Sequence, residues 1–157
     1  MSKVAFIGLG VMGYPMAGHL VTQGHDVYVY NRSIDKAEAW QAQYHGRIAV
    51  TPCEAALEAD VVFVCVGNDD DLRSVVYGDH GALAGMAAGA VLVDHTTASA
   101  QVAREIGIIA AQQGVGFVDA PVSGGQAGAE NGALAIMCGA SNEDFERAEP
   151  VMQAYAK

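Results

Sequence analysis

Positive charge, cysteine and long apolar runs are all scarce in this sequence, and each shortage excludes something. Lys and Arg number 8 against 18 Asp and Glu in 157 residues, a formal net charge of −10. No basic cluster occurs. Nucleic acid needs a positive face to release its counterions, so no nucleic-acid partner is expected. Cysteine is limited to Cys53, Cys65 and Cys138, far apart and odd in number. That pattern excludes a disulfide framework and any CxxC or Cys/His metal spacing, and it suits reduced thiols in the cytoplasm. No apolar run reaches the roughly 20 residues of a membrane span, so no membrane association is expected. The opening Met1-Ser2-Lys3-Val4-Ala5-Phe6-Ile7-Gly8 lacks the layout of a secretory signal and runs straight into an apolar segment. The five histidines, His19, His25, His45, His80 and His95, have no metal-ligand spacing, and no Ser-His-Asp arrangement can be argued. No metal is expected.

What the chain has is apolar residues, 52%, and glycine, 19 residues. Its length is that of one domain able to build a core. Short apolar runs alternate with segments of helical period. Val4–Ile7, Asp26–Tyr30, Val61–Val66, Ala90–Asp94, Val115–Asp119 and Ala133–Cys138 read as strands, several of them apolar throughout. Helices are expected over Val11–Gln23 with Gly24 closing the turn, over Ile34–Tyr44 after Ser33, and from Pro52 behind a Thr51/Glu54 capping box. Further helices are expected over Asp69–Tyr77, over Ala98–Gln113 and from Ser141 onward. The acids Asp69-Asp70-Asp71 suit the positive end of their helix better than a metal. Strand–helix alternation of this kind gives a doubly wound, mainly parallel α/β sheet of Rossmann type, with helices on both faces. The stretch Pro121–Gly132 is the one long segment with no regular pattern.

Gly8-Leu9-Gly10-Val11-Met12-Gly13 is a GxGxxG motif placed where that motif acts, after a strand and at the start of a helix. Gly8 permits the tight turn, Gly10 lets the backbone approach a pyrophosphate, and Gly13 allows close helix–strand packing. The helix N-terminus faces the anion. After the second strand come Asn31-Arg32-Ser33, where an NAD enzyme of this kind usually carries Asp or Glu on the ribose 2′-hydroxyl. No carboxylate stands at that strand end to repel a 2′-phosphate, and Arg32 offers a planar fork to bind one. NADP is therefore the expected cofactor, with NAD weaker. FAD proteins and methyltransferases with Gly-rich first turns also typically place an acid where Asn31 stands.

Two stretches resemble the β-hydroxyacid dehydrogenases, a family that includes 3-hydroxyisobutyrate dehydrogenase and is related to 6-phosphogluconate dehydrogenase. The first is Phe6 to Ala17, spanning the glycine motif. The second is Asp119-Ala120-Pro121-Val122-Ser123-Gly124-Gly125, continued by Ala129, Gly132 and Leu134. His19 departs from the Asn common in the family and is read as structural. The resemblance implies that Val66, Gly67, Asn68 and Thr96 line the nicotinamide half of the cofactor site. It implies that Ser123, Gly124 and Gly125 bind a small-molecule carboxylate substrate, where consecutive glycines can offer N–H groups as an anion nest. It also implies that residues 1–157 are the NADP-binding domain, without the helical substrate and dimerisation domain of the family, which forms homo-oligomers at full length. The family's proton-transferring Lys is expected beyond Lys157, since neither Lys3 nor Lys36 is placed to reach a substrate. The implied reaction is hydride exchange between NADP(H) and a 3-hydroxy acid or its semialdehyde. An imine reductase, or a non-catalytic nucleotide-binding module of the same fold, are the alternatives.

Overall fold

The computed structural model describes residues 1–157. In chain order the elements are β1 (Lys3–Ile7), α1 (Gly13–Thr22), β2 (Asp26–Tyr30), α2 (Ile34–Tyr44), β3 (Arg47–Ile48), α3 (Pro52–Ala56), β4 (Val61–Val64) and α4 (Asp69–Val76). There follow α5 (Ala82–Gly85), β5 (Val91–Asp94), α6 (Ala100–Gln112), β6 (Gly116–Asp119), β7 (Val122–Ser123), α7 (Gly125–Glu130), β8 (Ala135–Ile136) and α8 (Asn142–Met152). Six strands form one sheet in the order β3-β2-β1-β4-β5-β6, every pair parallel. The order reverses between β1 and β4, and the carboxyl ends of strands at such a reversal open a crevice for ligands.

Alternation along β1 divides the interior into two layers. Val4 and Phe6 face one side, packing with Met16, Ala17 and Leu20 of α1, Trp40 of α2 and Val151 of α8. Ala5 and Ile7 face the other, with Leu72 of α4, Leu83 of α5 and Val102 and Ile106 of α6. Strands covered on both faces have no polar side to show, which is why they read as unbroken apolar runs. Four helices start on side-chain caps: Thr51 accepts from the Glu54 N–H, Asn68 from Asp71, Ser99 from Val102 and Ser141 from Asp144. Ser33 sits at the expected start of α2 but makes no side-chain cap.

The structure corrects the sequence reading at several places. α1 begins at Gly13, because Gly10–Met12 stay in the turn. The run Ala133–Cys138 does not join the main sheet. Only Ala135–Ile136 is strand, paired antiparallel with β7. Just beyond it, Gly139 bridges to Asp119 at the end of β6. Burial alternates along this run: Leu134 is fully buried in the core and Ile136 and Cys138 pack against it, while Ala133, Ala135 and Met137 are exposed, so only one side of the run is covered. The stretch Pro121–Gly132 is ordered as β7 and α7. β3 and α5, with 2 and 4 residues, are too short to carry a period.

Candidate functional site

The site begins where β1 ends. The Gly8 N–H donates to the Tyr30 carbonyl at 2.9 Å, pinning the turn to β2. Gly8 has φ +102°, and a Cβ there would lie 2.1 Å from the Cys65 carbonyl oxygen, so no other residue fits. A Cβ on Gly13 would lie 2.0 Å from the Gly8 oxygen, which makes it the contact that lets α1 start against the turn. Gly10 is different: a Cβ there would meet nothing within 4 Å. It marks open space above the turn, the approach a pyrophosphate needs. The N–H groups of Gly10, Val11, Met12 and Gly13 make no hydrogen bond within the chain, and they stand at the positive end of α1. The Leu9 N–H instead donates to Asn31 Oδ1 at 2.9 Å, and Asn31 Nδ2 donates to the Ser33 carbonyl at 3.1 Å. Asn31 thus locks the glycine turn to the end of β2, a role its position alone did not disclose.

Above this turn lies a cleft of about 680 Å³. Gly8–Gly13 form one wall, Tyr30, Asn31 and Arg32 a second, and Cys65, Val66, Gly67 and Asp71 a third, with Thr51, Ser74 and His80 closing the side. The lining is mostly apolar and backbone, as nucleotide sites are. Arg32 Nη1 lies 3.9 Å from Asp71 Oδ1. Sequence reasoning found no acid at the end of β2. It missed that the first turn of α4 brings one to the same cleft from 39 positions away. The signal was in the topology, since α4 follows the strand on the far side of the switch point.

Behind Val66 the chain is tightly tied. The Val66 N–H donates to Thr96 Oγ1 at 3.1 Å, and the Thr96 N–H to Asp94 Oδ1 at 2.9 Å. Thr96, at 3% exposure, therefore stands behind the cleft wall and does not line it. Asn68 spends its side chain on the α4 cap. Asp94 is buried and its Oδ2 has no partner. Burial pushes its carboxyl up to about 6, against the pull of the Thr96 hydrogen bonds. Burial likewise raises the Cys65 thiol to about 12, with the Asp94 charge adding to the effect. His95 lies flat against Phe63 in the interior. Its Nδ1 is 2.7 Å from the Ala120 carbonyl and its Nε2 is 2.7 Å from the Tyr155 hydroxyl. A carbonyl only accepts, so Nδ1 carries the proton and Nε2 accepts from Tyr155. Burial lowers this imidazole to about 4. It is a packed, hydrogen-bonded residue that fixes the chain just before Pro121.

Ser123, Gly124 and Gly125 are exposed and do not line the cleft. They join β7 to α7, with Gly124 at φ +132° and Gly125 at φ +63°. The N–H groups of Gly124 and Gly125 make no hydrogen bond within the chain. His19 Nε2 lies 2.9 Å from the Ala129 carbonyl and 3.0 Å from that of Glu130, so it caps the end of α7 from α1, a structural role. Lys3 pairs with Glu58 at 3.6 Å, Lys36 lies on α2, and the Lys157 N–H donates to Leu134 at 2.7 Å. None of the three lines the cleft. No group of three or more His, Cys, Asp and Glu is arranged to hold a metal ion, and no helix is long and apolar enough to cross a membrane.

The family described as the NAD binding domain of 6-phosphogluconate dehydrogenase matches residues 3–157. An uncharacterized oxidoreductase of Shewanella frigidimarina is 63% identical over 157 residues, 100% of this chain and 54% of that protein. A probable 3-hydroxyisobutyrate dehydrogenase-like protein of Arabidopsis thaliana is 43% identical over 97% of this chain and 48% of its own length. The Mycobacterium tuberculosis 3-hydroxyisobutyrate dehydrogenase solved with L-serine superposes with TM-score 0.91 at 35% identity, covering 99% of this chain and 52% of that one. The chain spans about half the length of the curated relatives it matches.

Proposed function

The chain belongs to the β-hydroxyacid dehydrogenase family through its NAD-binding domain, and on that footing we propose that it holds NADP(H) for hydride exchange with a small 3-hydroxy acid or the matching semialdehyde. The observation that carries this reading is the cradle of unpaired N–H groups at Gly10–Gly13, opening into the cleft at the strand reversal. Its donors and the α1 dipole suit a pyrophosphate in a chain whose overall charge is unfavourable to one. Leu9, Val11 and Met12 shape the turn. Arg32, beside Asn31 and Ser33, would receive the 2′-phosphate, which makes NADP preferred and NAD weaker. Val66 and Gly67 would meet the nicotinamide half, steadied from behind by Thr96, while Asn68 holds the start of α4. When bound, the nicotinamide supplies the hydride; the chain binds it, orients it and shields it.

Ser123, Gly124 and Gly125 would bind the substrate carboxylate through the free N–H groups of Gly124 and Gly125 and the Ser123 hydroxyl. In this reading residues 1–157 are the cofactor domain of a longer, homo-oligomeric enzyme. Its proton donor lies outside them, since general acid catalysis requires hydrogen-bond reach and no lysine here lines the cleft. The test is NADPH oxidation by the full-length protein against a panel of semialdehydes and cyclic imines. Turnover with carboxylate-bearing semialdehydes is expected. Turnover restricted to imines would replace the substrate class, and binding of NADPH with no turnover on either panel would favour a non-catalytic module.

A further inference from the structure

Among the residues lining the cleft there is one cation of the Lys/Arg type, Arg32, and one acid, Asp71, and the two are paired with each other. They come from opposite walls, Arg32 from the loop after β2 and Asp71 from the first turn of α4. Their freedom differs. The Arg32 side chain is 90% exposed and has no other ionic partner, whereas that of Asp71 is 36% exposed. The Asp71 N–H is held by Asn68 Oδ1 at 2.9 Å, and its Oδ2 lies 2.7 Å from where a Cβ on Gly67 would stand. The other two acids of the turn are committed elsewhere. Asp69 accepts from the Ser99 N–H and hydroxyl at 2.9 and 2.6 Å, and Asp70 lies 3.8 Å from Arg73. Of the acidic triplet, Asp71 alone lines the cleft.

We propose that Asp71 is a specificity-determining residue, a built-in competitor that limits how strongly the cleft prefers a 2′-phosphorylated dinucleotide over its 2′-hydroxyl counterpart. The inference rests on the reading that Arg32 receives the 2′-phosphate. A phosphate monoester carries close to two negative charges at neutral pH. To grip it with both arms of the fork, the guanidinium must leave Asp71. The carboxylate then remains, anchored beside Gly67, as an uncompensated negative charge in the same cleft. A dinucleotide with a 2′-hydroxyl meets neither cost. Because the guanidinium is largely exposed and the carboxylate partly so, the penalty is a factor of a few, and salt should shrink it.

The test is a double-mutant cycle on the full-length protein carrying these residues: wild type, Asp71→Asn, Arg32→Ala and the double variant, each titrated with NADP+ and with NAD+ at low and high salt. Asp71→Asn keeps the backbone N–H that Asn68 caps, so the fold is not at stake. It should tighten NADP+ by about three- to tenfold and move NAD+ by less than about twofold, with the gain reduced at high salt. In the Arg32→Ala background the same change should give at most half that gain in free-energy terms. Weaker NADP+ binding in Asp71→Asn, or an equal change for both cofactors, overturns the proposal. So does a full gain in the Arg32→Ala background, which would mean plain repulsion without competition for the guanidinium. If Arg32→Ala leaves NADP+ affinity unchanged, the 2′-phosphate reading itself falls and the proposal falls with it. If Arg32→Ala weakens NADP+ tenfold while Asp71→Asn changes nothing, only the role of Asp71 is lost.

Discussion

Asp94 and His95 are adjacent, both 1% exposed, and displaced in opposite senses by the same cause, burial. Asp94 rises from 3.8 to about 6, so its contribution to stability is complete below pH 3.8 and is lost as pH rises through about 6. His95 falls from 6.5 to about 4, so its contribution is complete above pH 6.5 and is lost as pH falls through about 4. Between these limits the unfolded chain carries one proton, on the imidazole, and the folded chain carries one proton, on the carboxyl. The two dependences therefore cancel, and the pair adds almost no slope between about pH 4 and 6. Removing either member should expose the other. Asp94→Asn is expected to lose up to about 3 kcal/mol, relative to wild type, on acidification from pH 6.5 to 4. His95→Gln is expected to gain a similar amount over the same range. Urea-unfolding midpoints across pH read this directly, and parallel profiles for all three proteins would refute it.

At the scale of elements, the turn between β1 and α1 separates two duties that one motif performs. Gly13 is needed for packing, because a Cβ would lie 2.0 Å from backbone, while Gly10 faces open space. Gly13→Ala should therefore destabilise the chain by roughly 1–3 kcal/mol or more through overpacking. Gly10→Ala should change stability by less than about 1 kcal/mol yet weaken NADPH at least tenfold. Thermal unfolding and NADPH titration of the two variants separate these roles, and intact NADPH binding in Gly10→Ala would remove Gly10 from the site. This turn was legible in the sequence, as were β2 and β6, whose Val and aromatic residues follow a glycine that closes the preceding helix, and β1, β4 and β5, because strands buried on both faces leave an apolar run. β8 misled for the same reason: Ala133–Cys138 is apolar in composition, but alanine and methionine tolerate a surface strand. The Arg32–Asp71 pair was hidden because it joins residues far apart in the chain, and the stacking of His95 on Phe63 was hidden likewise. Local patterns carry helices, strands and turns; they do not carry which loop ends up facing which.

For the whole molecule, a net charge of −10 sits around the cleft proposed for the dinucleotide, with one guanidinium to offset it. On that proposal, binding rests on oriented N–H groups and the α1 dipole. The lysines add a second deficit: Lys3 is engaged with Glu58, Lys36 lies on α2, and the Lys157 backbone is tied to Leu134. Residues 1–157 expressed alone should accordingly bind NADPH weakly and reduce no semialdehyde. NADPH turnover at ordinary enzymatic rates by these residues alone would put the proton donor among them and contradict the reading. The strand order has a further consequence, for synthesis. β1 is central yet precedes the other strands of its sheet in the chain, and the sheet grows from it to one edge through β2 and β3 before the chain crosses back to β4, β5 and β6. A nascent chain leaving the ribosome can complete the arginine-bearing wall while the opposite wall is still unsynthesised. Until β4 docks on β1, one flank of the earliest strand has no hydrogen-bonding neighbour, so the unfinished half-sheet is the stage at which this chain is most open to chaperone capture.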